Sequence, residues 1–331
     1  MSYADAPDSI SPNDQLPPVE PPSAGFIVRL FVIPALIVII MFGLGAGIKW
    51  LVERESNPRA YVEALRRNND GRWQAAHDLA DVLRSPQNDR LKDDRELARE
   101  LADTLSTELA SGGDDDLAVQ LRVYLCNALG EFRVPEVLDV LVKAATSGDD
   151  EKERVVQFSA MKALAVYLSA APKKDWSDRP DVMSTVMKAS KDDEPLMRST
   201  AAFALGAAGT PEALERLTAM LVDSYPDVRY NAATNLARRG DAQAVGVLAE
   251  MLEPEQTAAV SLEAEEQSRE YKRDLILVNA LRAAKDLAEH SAQADLAALV
   301  EPVERLTADD MAPGIRVQAD EVLIELKKRR S

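Results

Sequence analysis

Seven stretches of the chain share one arrangement of small, apolar and polar positions. Counted from an arginine as position zero, the frame is Arg, two residues, two small or apolar residues, two residues and leucine. It reads RWQAAHDL from Arg72, RVYLCNAL from Arg122, RSTAAFAL from Arg198, RYNAATNL from Arg229 and RVQADEVL from Arg316. Two further copies keep the apolar positions and change the first residue: QFSAMKAL from Gln157 and DLILVNAL from Asp274. Positions 3, 4 and 7 fall on one side of an α-helix. The buried set this predicts is Ala75, Ala76, Leu79; Leu125, Cys126, Leu129; Ala160, Met161, Leu164; Ala201, Ala202, Leu205; Ala232, Ala233, Leu236; Leu277, Val278, Leu281; and Ala319, Asp320, Leu323. The acid in the last set suits a terminal helix with no neighbour to cover it.

A first helix precedes each of these second helices. PEVLDVLVKAA (135–145) and PEALERLTAMLV (211–222) place proline in the first turn, where its missing N–H costs nothing. RPDVMSTVMKAS, AQAVGVLAEML and ADLAALVEPVERL fill the same role, and PRAYVEALRR with the run from Asp93 to Ala110 begins the array. The pattern predicts an all-α chain of about seven stacked helical hairpins over residues 58–330, with a mean period of about 41 residues. Small residues at positions 3 and 4 let each second helix lie close to its first.

Six residues before the frame arginine, five of the seven copies carry an acid: Asp116, Glu151, Asp192, Asp223 and Asp310. An acid just ahead of a helix caps it and meets the positive end of its dipole. Packed helices lie roughly 8–10 Å apart, so one repeat's acid reaches the next repeat's arginine. The expected ladder is Asp116, Arg122, Asp192, Arg198, Asp223, Arg229, Asp310 and Arg316, a recurring structural pairing rather than a catalytic one. With these residues the chain resembles the HEAT-repeat family, including the shorter phycobilisome-lyase-type HEAT-like repeats. DSYPDVRYNAATNLARRG and DDEPLMRSTAAFALGAAG carry the resemblance best, which covers roughly residues 58–330. The resemblance implies a right-handed superhelical α-solenoid used as a binding scaffold. The copy around Asp274 departs most: Ser268 stands at the acid position, and the acidic insertion EPEQTAAVSLEAEEQSRE comes before it.

The front of the chain is of another kind. Residues 1–25 are proline-rich and acidic, the composition of a disordered tail. Residues 26–48, FIVRLFVIPALIVIIMFGLGAGI, hold an uncharged run from 30 to 48, long enough to cross roughly 30 Å of hydrocarbon as a transmembrane helix. A cleaved signal peptide starts basic and has a shorter apolar run; this start is acidic and the run is long, which favours a permanent anchor. Residues 49–57 read as a linker. Arg29 alone precedes the span, whereas Lys49, Arg54, Arg59, Arg66 and Arg67 follow it. The expectation is a single-pass protein of the plasma (inner) membrane, N-terminus outside and repeat domain cytoplasmic. Gly43 and Gly47 form a G-x-x-x-G pair, a candidate homodimer seam.

Composition narrows the chemistry. Hydrophobic residues make up 46% of the 331, but aromatics only 5%, so alanine and leucine carry the core, as helices prefer. The net charge of −17, without a basic stripe, excludes nucleic acid as a partner. The single cysteine, Cys126, falls among apolar helical residues, and the two histidines, His77 and His290, lie on different repeats. No zinc spacing, phosphate loop or nucleophile elbow is present, so no catalytic, cofactor or metal residue is expected. The acid runs at 114–116 and 192–194 read as solvated turns, with Ca²⁺ or a basic partner as the other reading. KKRR, Lys327 to Arg330, suits a helix C-terminus.

Positions 2 and 5 of the second helices face away from the buried side. They supply the candidate lining of a concave groove for a protein partner: Tyr124, Asn127, Ser159, Lys162, Asn231, Thr234, Gln318 and Glu321, with Asn279 in the sixth copy. The bland reading of each is a solvated helix face. The function expected is a membrane-anchored scaffold or adaptor. The alternative is an enzyme or enzyme subunit of the bilin-lyase-like HEAT type, for which the sequence supplies no catalytic pair.

Overall fold

The computed structural model describes residues 33–52, 58–67, 69–111, 113, 115–148, 150–255, 257–261, 263–291 and 294–328. The first helix, α1, covers Ile33–Val52, and its side chains Ile39, Met41 and Phe42 are exposed. Among the described residues no helix is long and apolar enough to cross a membrane. The expected span of 26–48 begins at residues 26–32, which lie outside the described residues, as does the tail at 1–25. Helix α1 runs past residue 48 to Val52, so the first part of the expected linker is helical; residues 53–57 lie outside the described set.

From Asn57 onward the chain forms a separate compact unit. Its described residues build seven helical hairpins and no strand. They are α2 (Pro58–Arg66) with α3 (Arg72–Arg84), α4 (Arg95–Ser111) with α5 (Asp116–Gly130), and α6 (Leu138–Ala145) with α7 (Glu151–Ala170). Next come α8 (Pro180–Ala189) with α9 (Pro195–Ala208), and α10 (Pro211–Met220) with α11 (Pro226–Ala237). A short α13 (Thr257–Val260) interrupts the sixth pair, α12 (Val245–Met251) with α14 (Glu266–His290); α15 (Ala297–Arg305) and α16 (Pro313–Lys328) close the array. Second helices stack on second helices in the order α3, α5, α7, α9, α11, α14, α16. This is an α-solenoid.

Local chemistry starts and stops these helices. Proline occupies the first turn of α8, α9, α10 and α11. Asp115 caps α5 by accepting from the N–H groups of Leu117 and Ala118, and Asp150 caps α7 in the same way. Both caps stand one residue before the acids expected to do this, Asp116 and Glu151. Helix α9 ends at Gly209, whose φ of 57° a side chain would resist.

Positions 3, 4 and 7 are buried in the first five copies. Each buried leucine there contributes about 1.5–3 kcal/mol relative to exposure. The small residues allow close approach: a Cβ added to Gly130 of α5 would lie 2.7 Å from the Cα of Ala163 in α7. In the sixth copy the frame starts one residue earlier than expected. Ile276, Leu277, Ala280, Leu281 and Ala284 are buried and Val278 is only half-buried. With Arg273 as zero, these residues take positions 3, 4, 7, 8 and 11, the set buried in α3. Packing sets the register, and Asp274 is left exposed. In the seventh copy Leu323 is half-buried, while Val317, Asp320 and Ile324 form an exposed side that no described element covers.

Candidate interaction surface

The frame arginines tie each repeat to the next. Nη1 of Arg198 donates to the carbonyls of Asp192 and Asp193 in its own turn, and Nε and Nη2 donate to the Asp223 carboxylate of the following repeat at 2.8 Å. Arg229 donates to the Asp223 carbonyl at 2.8 Å and pairs forward with Glu250 on α12. Arg72 and Arg122 use the same two-way grip, on Leu65 O and Glu108 and on Gly113 O and Glu153. Gln157 takes the turn carbonyls of Ser147 and Gly148, and Arg154, one turn earlier, reaches Asp192 at 2.6 Å.

The ladder runs opposite to the expected direction: the arginine reaches forward to an acid of the following repeat, as Arg198 does to Asp223, instead of back to the acid of the preceding one, and several partners also differ from the acids six residues before the arginines. Arg122 pairs with Glu153 rather than Glu151, Arg316 pairs with Asp309 of its own turn rather than involving Asp310, and Asp116 is exposed beside Lys152. The arginine fork needs a carboxylate above it, and any acid in the facing turn within reach will do. The Arg154 hydrogen bonds hold the Asp192 carboxyl below its ordinary value. Burial pushes Asp223 up, but Arg198 and the Tyr225 N–H outweigh it and hold the group lower.

The outward face of the second helices is only partly the expected one. Lys162, Asn279 and Glu321 are exposed, and Tyr124, Asn127, Asn231 and Gln318 are half-buried. Ser159 and Thr234 are buried, and their hydroxyls donate to carbonyls of their own helices. Both hydroxyls are thus engaged within their own helices. Asn231 donates to the Ser199 hydroxyl at 2.7 Å and so ties α11 to α9. Tyr124 stacks on Trp73, centroids 5.9 Å apart, with His77 edge-on at 4.9 Å. The shift of register to Arg273 puts half-buried Val278, not Asn279, at position 5.

One recess on this face was not evident from positions 2 and 5 alone. A groove of about 900 Å³ opens between α9, α11 and α14, lined by Phe203, Tyr230, Thr234, Tyr271, Leu275 and Asn279 among others. The insertion helps to shape it. Helix α13 packs against α11 and α14, and Ala259 and Val260 are buried. Lys272 pins this region by pairing with Asp227 at 3.2 Å and Glu263 at 3.1 Å. Burial pulls the Lys272 ammonium down, but the two carboxylates prevail and hold it above its ordinary value. The sequence signal was the aromatic residues Phe203 and Tyr271 at outward helical positions.

Among the described residues there is no group of three or more His, Cys, Asp or Glu placed to hold a metal ion. Cys126 is buried, which pushes its thiol up to about 12, so it is protonated at neutral pH.

The HEAT-repeat family profile matches residues 154–225 and 182–267. The molecule is an all-α helical-repeat solenoid, and residues 154–267 of it are similar to HEAT repeats. No curated protein sequence matches the chain. Among solved structures it is similar to the archaeal HEAT-like repeats protein from Thermococcus onnurineus NA1, with 17% identity, a TM-score of 0.44, and coverage of 77% of this chain and 98% of that one. A designed armadillo repeat protein matches at 17% identity and a TM-score of 0.37 over 76% of this chain and 99% of its own. Kap121p matches at 14% identity and a TM-score of 0.44 over 82% of this chain and 33% of its own.

Proposed function

We propose that this protein is a membrane-anchored scaffold that binds a protein partner on the outward face of its second helices. The observation that supports the reading is the groove between α9, α11 and α14. It exposes Phe203, Tyr271 and Leu275 beside the Asn279 side chain. Contiguous exposed apolar surface of this kind marks interaction sites, and stacked repeats extend such a surface row by row. The anchor rests on the amino-acid sequence alone: the uncharged run at 30–48, with five basic residues after it and one before, favours a cytoplasmic repeat domain. The role is binding, not catalysis.

Photo-crosslinking in intact membranes from a benzoylphenylalanine placed at Phe203 tests the scaffold. One stoichiometric protein adduct is expected, lost when Leu275→Asp and Tyr271→Asp are introduced together. Absence of any adduct overturns the reading. For the anchor, the chain is expected to stay with membranes after alkaline carbonate washing; release into the supernatant removes that part of the proposal.

A further inference from the structure

Five of the large apolar side chains that the repeats leave exposed fall on one stripe. Val155 on α7, Leu196 and Phe203 on α9, and Tyr271 and Leu275 on α14 are between 37% and 71% exposed. They take frame positions −2, 2 and 5, which share one side of a helix. Helices α7, α9, α11 and α14 are consecutive second helices; three of them supply the apolar residues, and α11, with Asp227, Asn231 and Thr234 at the same positions, lies between α9 and α14.

The charge on this stripe is one-sided. Lys162 on α7, Arg238 at the C-cap of α11 and Arg282 on α14 are exposed at positions 5, 9 and 9. Arg238 bonds only the Asn235 side chain, and among the described residues no carboxylate pairs with any of the three. The only carboxylate at these positions in the four repeats, Asp227, is paired with Lys272, which it shares with nearby Glu263, so the three exposed cations still outnumber the one negative charge left over. Unpaired cations beside exposed apolar groups run against a chain whose net charge is −17.

We propose that this stripe receives an acidic amphipathic segment of the protein partner. Such a segment carries aliphatic or aromatic anchors on one side and Asp or Glu within reach of Arg238 and Arg282. This deepens the scaffold reading and rests on it. The anchors cover Phe203, Tyr271 and Leu275 and supply most of the affinity. The acids fix direction and speed encounter, and their contribution weakens with salt.

Three fluorescein-labelled peptides of equal length test the assignment by anisotropy against the full-length chain in nonionic detergent. One carries Leu and Phe anchors with Glu between them, the second has Lys for every Glu, and the third keeps Glu but has Ser for every anchor. The anchored Glu peptide is expected to bind at least ~10-fold tighter than the others, a difference of about 1.4 kcal/mol, and to weaken as NaCl rises. The Arg238→Glu, Arg282→Glu double variant is expected to reverse the preference toward the Lys peptide. Lys162→Glu, at the other end of the stripe, is expected to weaken the Glu peptide independently. Equal binding of Glu and Lys peptides, full binding without anchors, no binding of the anchored Glu peptide, or an unchanged preference in the double variant overturns the proposal. If crosslinking from Phe203 still captures a stoichiometric partner in that case, the scaffold stands and only the partner chemistry fails.

Discussion

Arg198 and Asp223, on successive repeats, meet through two parallel hydrogen bonds of 2.8 Å, and both side chains are largely shielded from solvent. The same arginine closes the turn before its own helix through the carbonyls of Asp192 and Asp193. Removing it leaves one buried carboxylate and two carbonyls without partners. Arg198→Ala is therefore expected to destabilise the repeats by about 3 kcal/mol, read as a lowered urea midpoint. Arg67→Ala removes an exposed i,i+4 pair with Glu63 and is expected to change stability by less than about 0.5 kcal/mol. Equal effects would deny the ladder its role.

The pairing carries a pH signature. Asp192 and Asp223 both titrate below their ordinary value of 3.8 in the folded chain. Their stabilisation is complete above that value and is lost as pH falls through the lower folded values. The thermal unfolding midpoint is expected to fall as pH drops from about 5 toward 2. Asp223→Asn is expected to be less stable than the parent at pH 7, with the gap closing in acid. A gap that stays constant across that window would contradict the linkage.

Much of the stack was legible because burial and spacing speak the same language. Ala76, Leu79, Cys126, Ala160, Leu205 and Ala233 announce one helix face by period alone, and all are buried. The slip from Asp274 to Arg273 was hidden because both choices place apolar residues on a face; only packing against the neighbouring α11, α12 and α16 decides between them. Ladder partners such as Glu108 and Glu250 lie on first helices, outside the six-residue rule, and are joined to their arginines only by stacking. The fates of Ser159 and Thr234 were hidden for a different reason. A hydroxyl at an outward position can still bond its own helix.

Two glycines separate close packing from backbone freedom. In Gly130→Ala the new methyl carbon lies 2.7 Å from Ala163 Cα and 2.8 Å from its Cβ, so α5 and α7 must part. A loss of about 1–3 kcal/mol is expected from overpacking. Gly246, inside α12, has nothing within 4 Å of the same position. Gly246→Ala is expected to gain up to about 1 kcal/mol through helix propensity. Denaturant midpoints that move in the same direction for both would show that the close approach of α5 and α7 is relaxed in solution.

Arg273 occupies the frame position in the sixth repeat but closes no rung. It lines a recess with Asp310, Met311 and Ile315, and its Nε is buried without a partner among the described residues. Arg273→Ala is therefore expected to cost less than about 1 kcal/mol, well below Arg198→Ala. Parity between the two in urea would mean that Arg273 and Asp310 join in solution.

Lys272 should control the order of the insertion. Its ammonium holds Asp227 of α11 and Glu263 together, while Arg269 grips the carbonyls of Glu263 and Ala264 from the same helix. Lys272→Met keeps much of the side-chain volume and deletes the charge, leaving two carboxylates that repel. Amide exchange over 257–265 is expected to speed up by ~10-fold or more, equivalent to about 1.4 kcal/mol of local opening. Exchange in α5 and α7 should stay unchanged, because each repeat is held mainly by its neighbours. Acceleration spread evenly through the array would show that Lys272 supports the whole stack and not the edge of the groove.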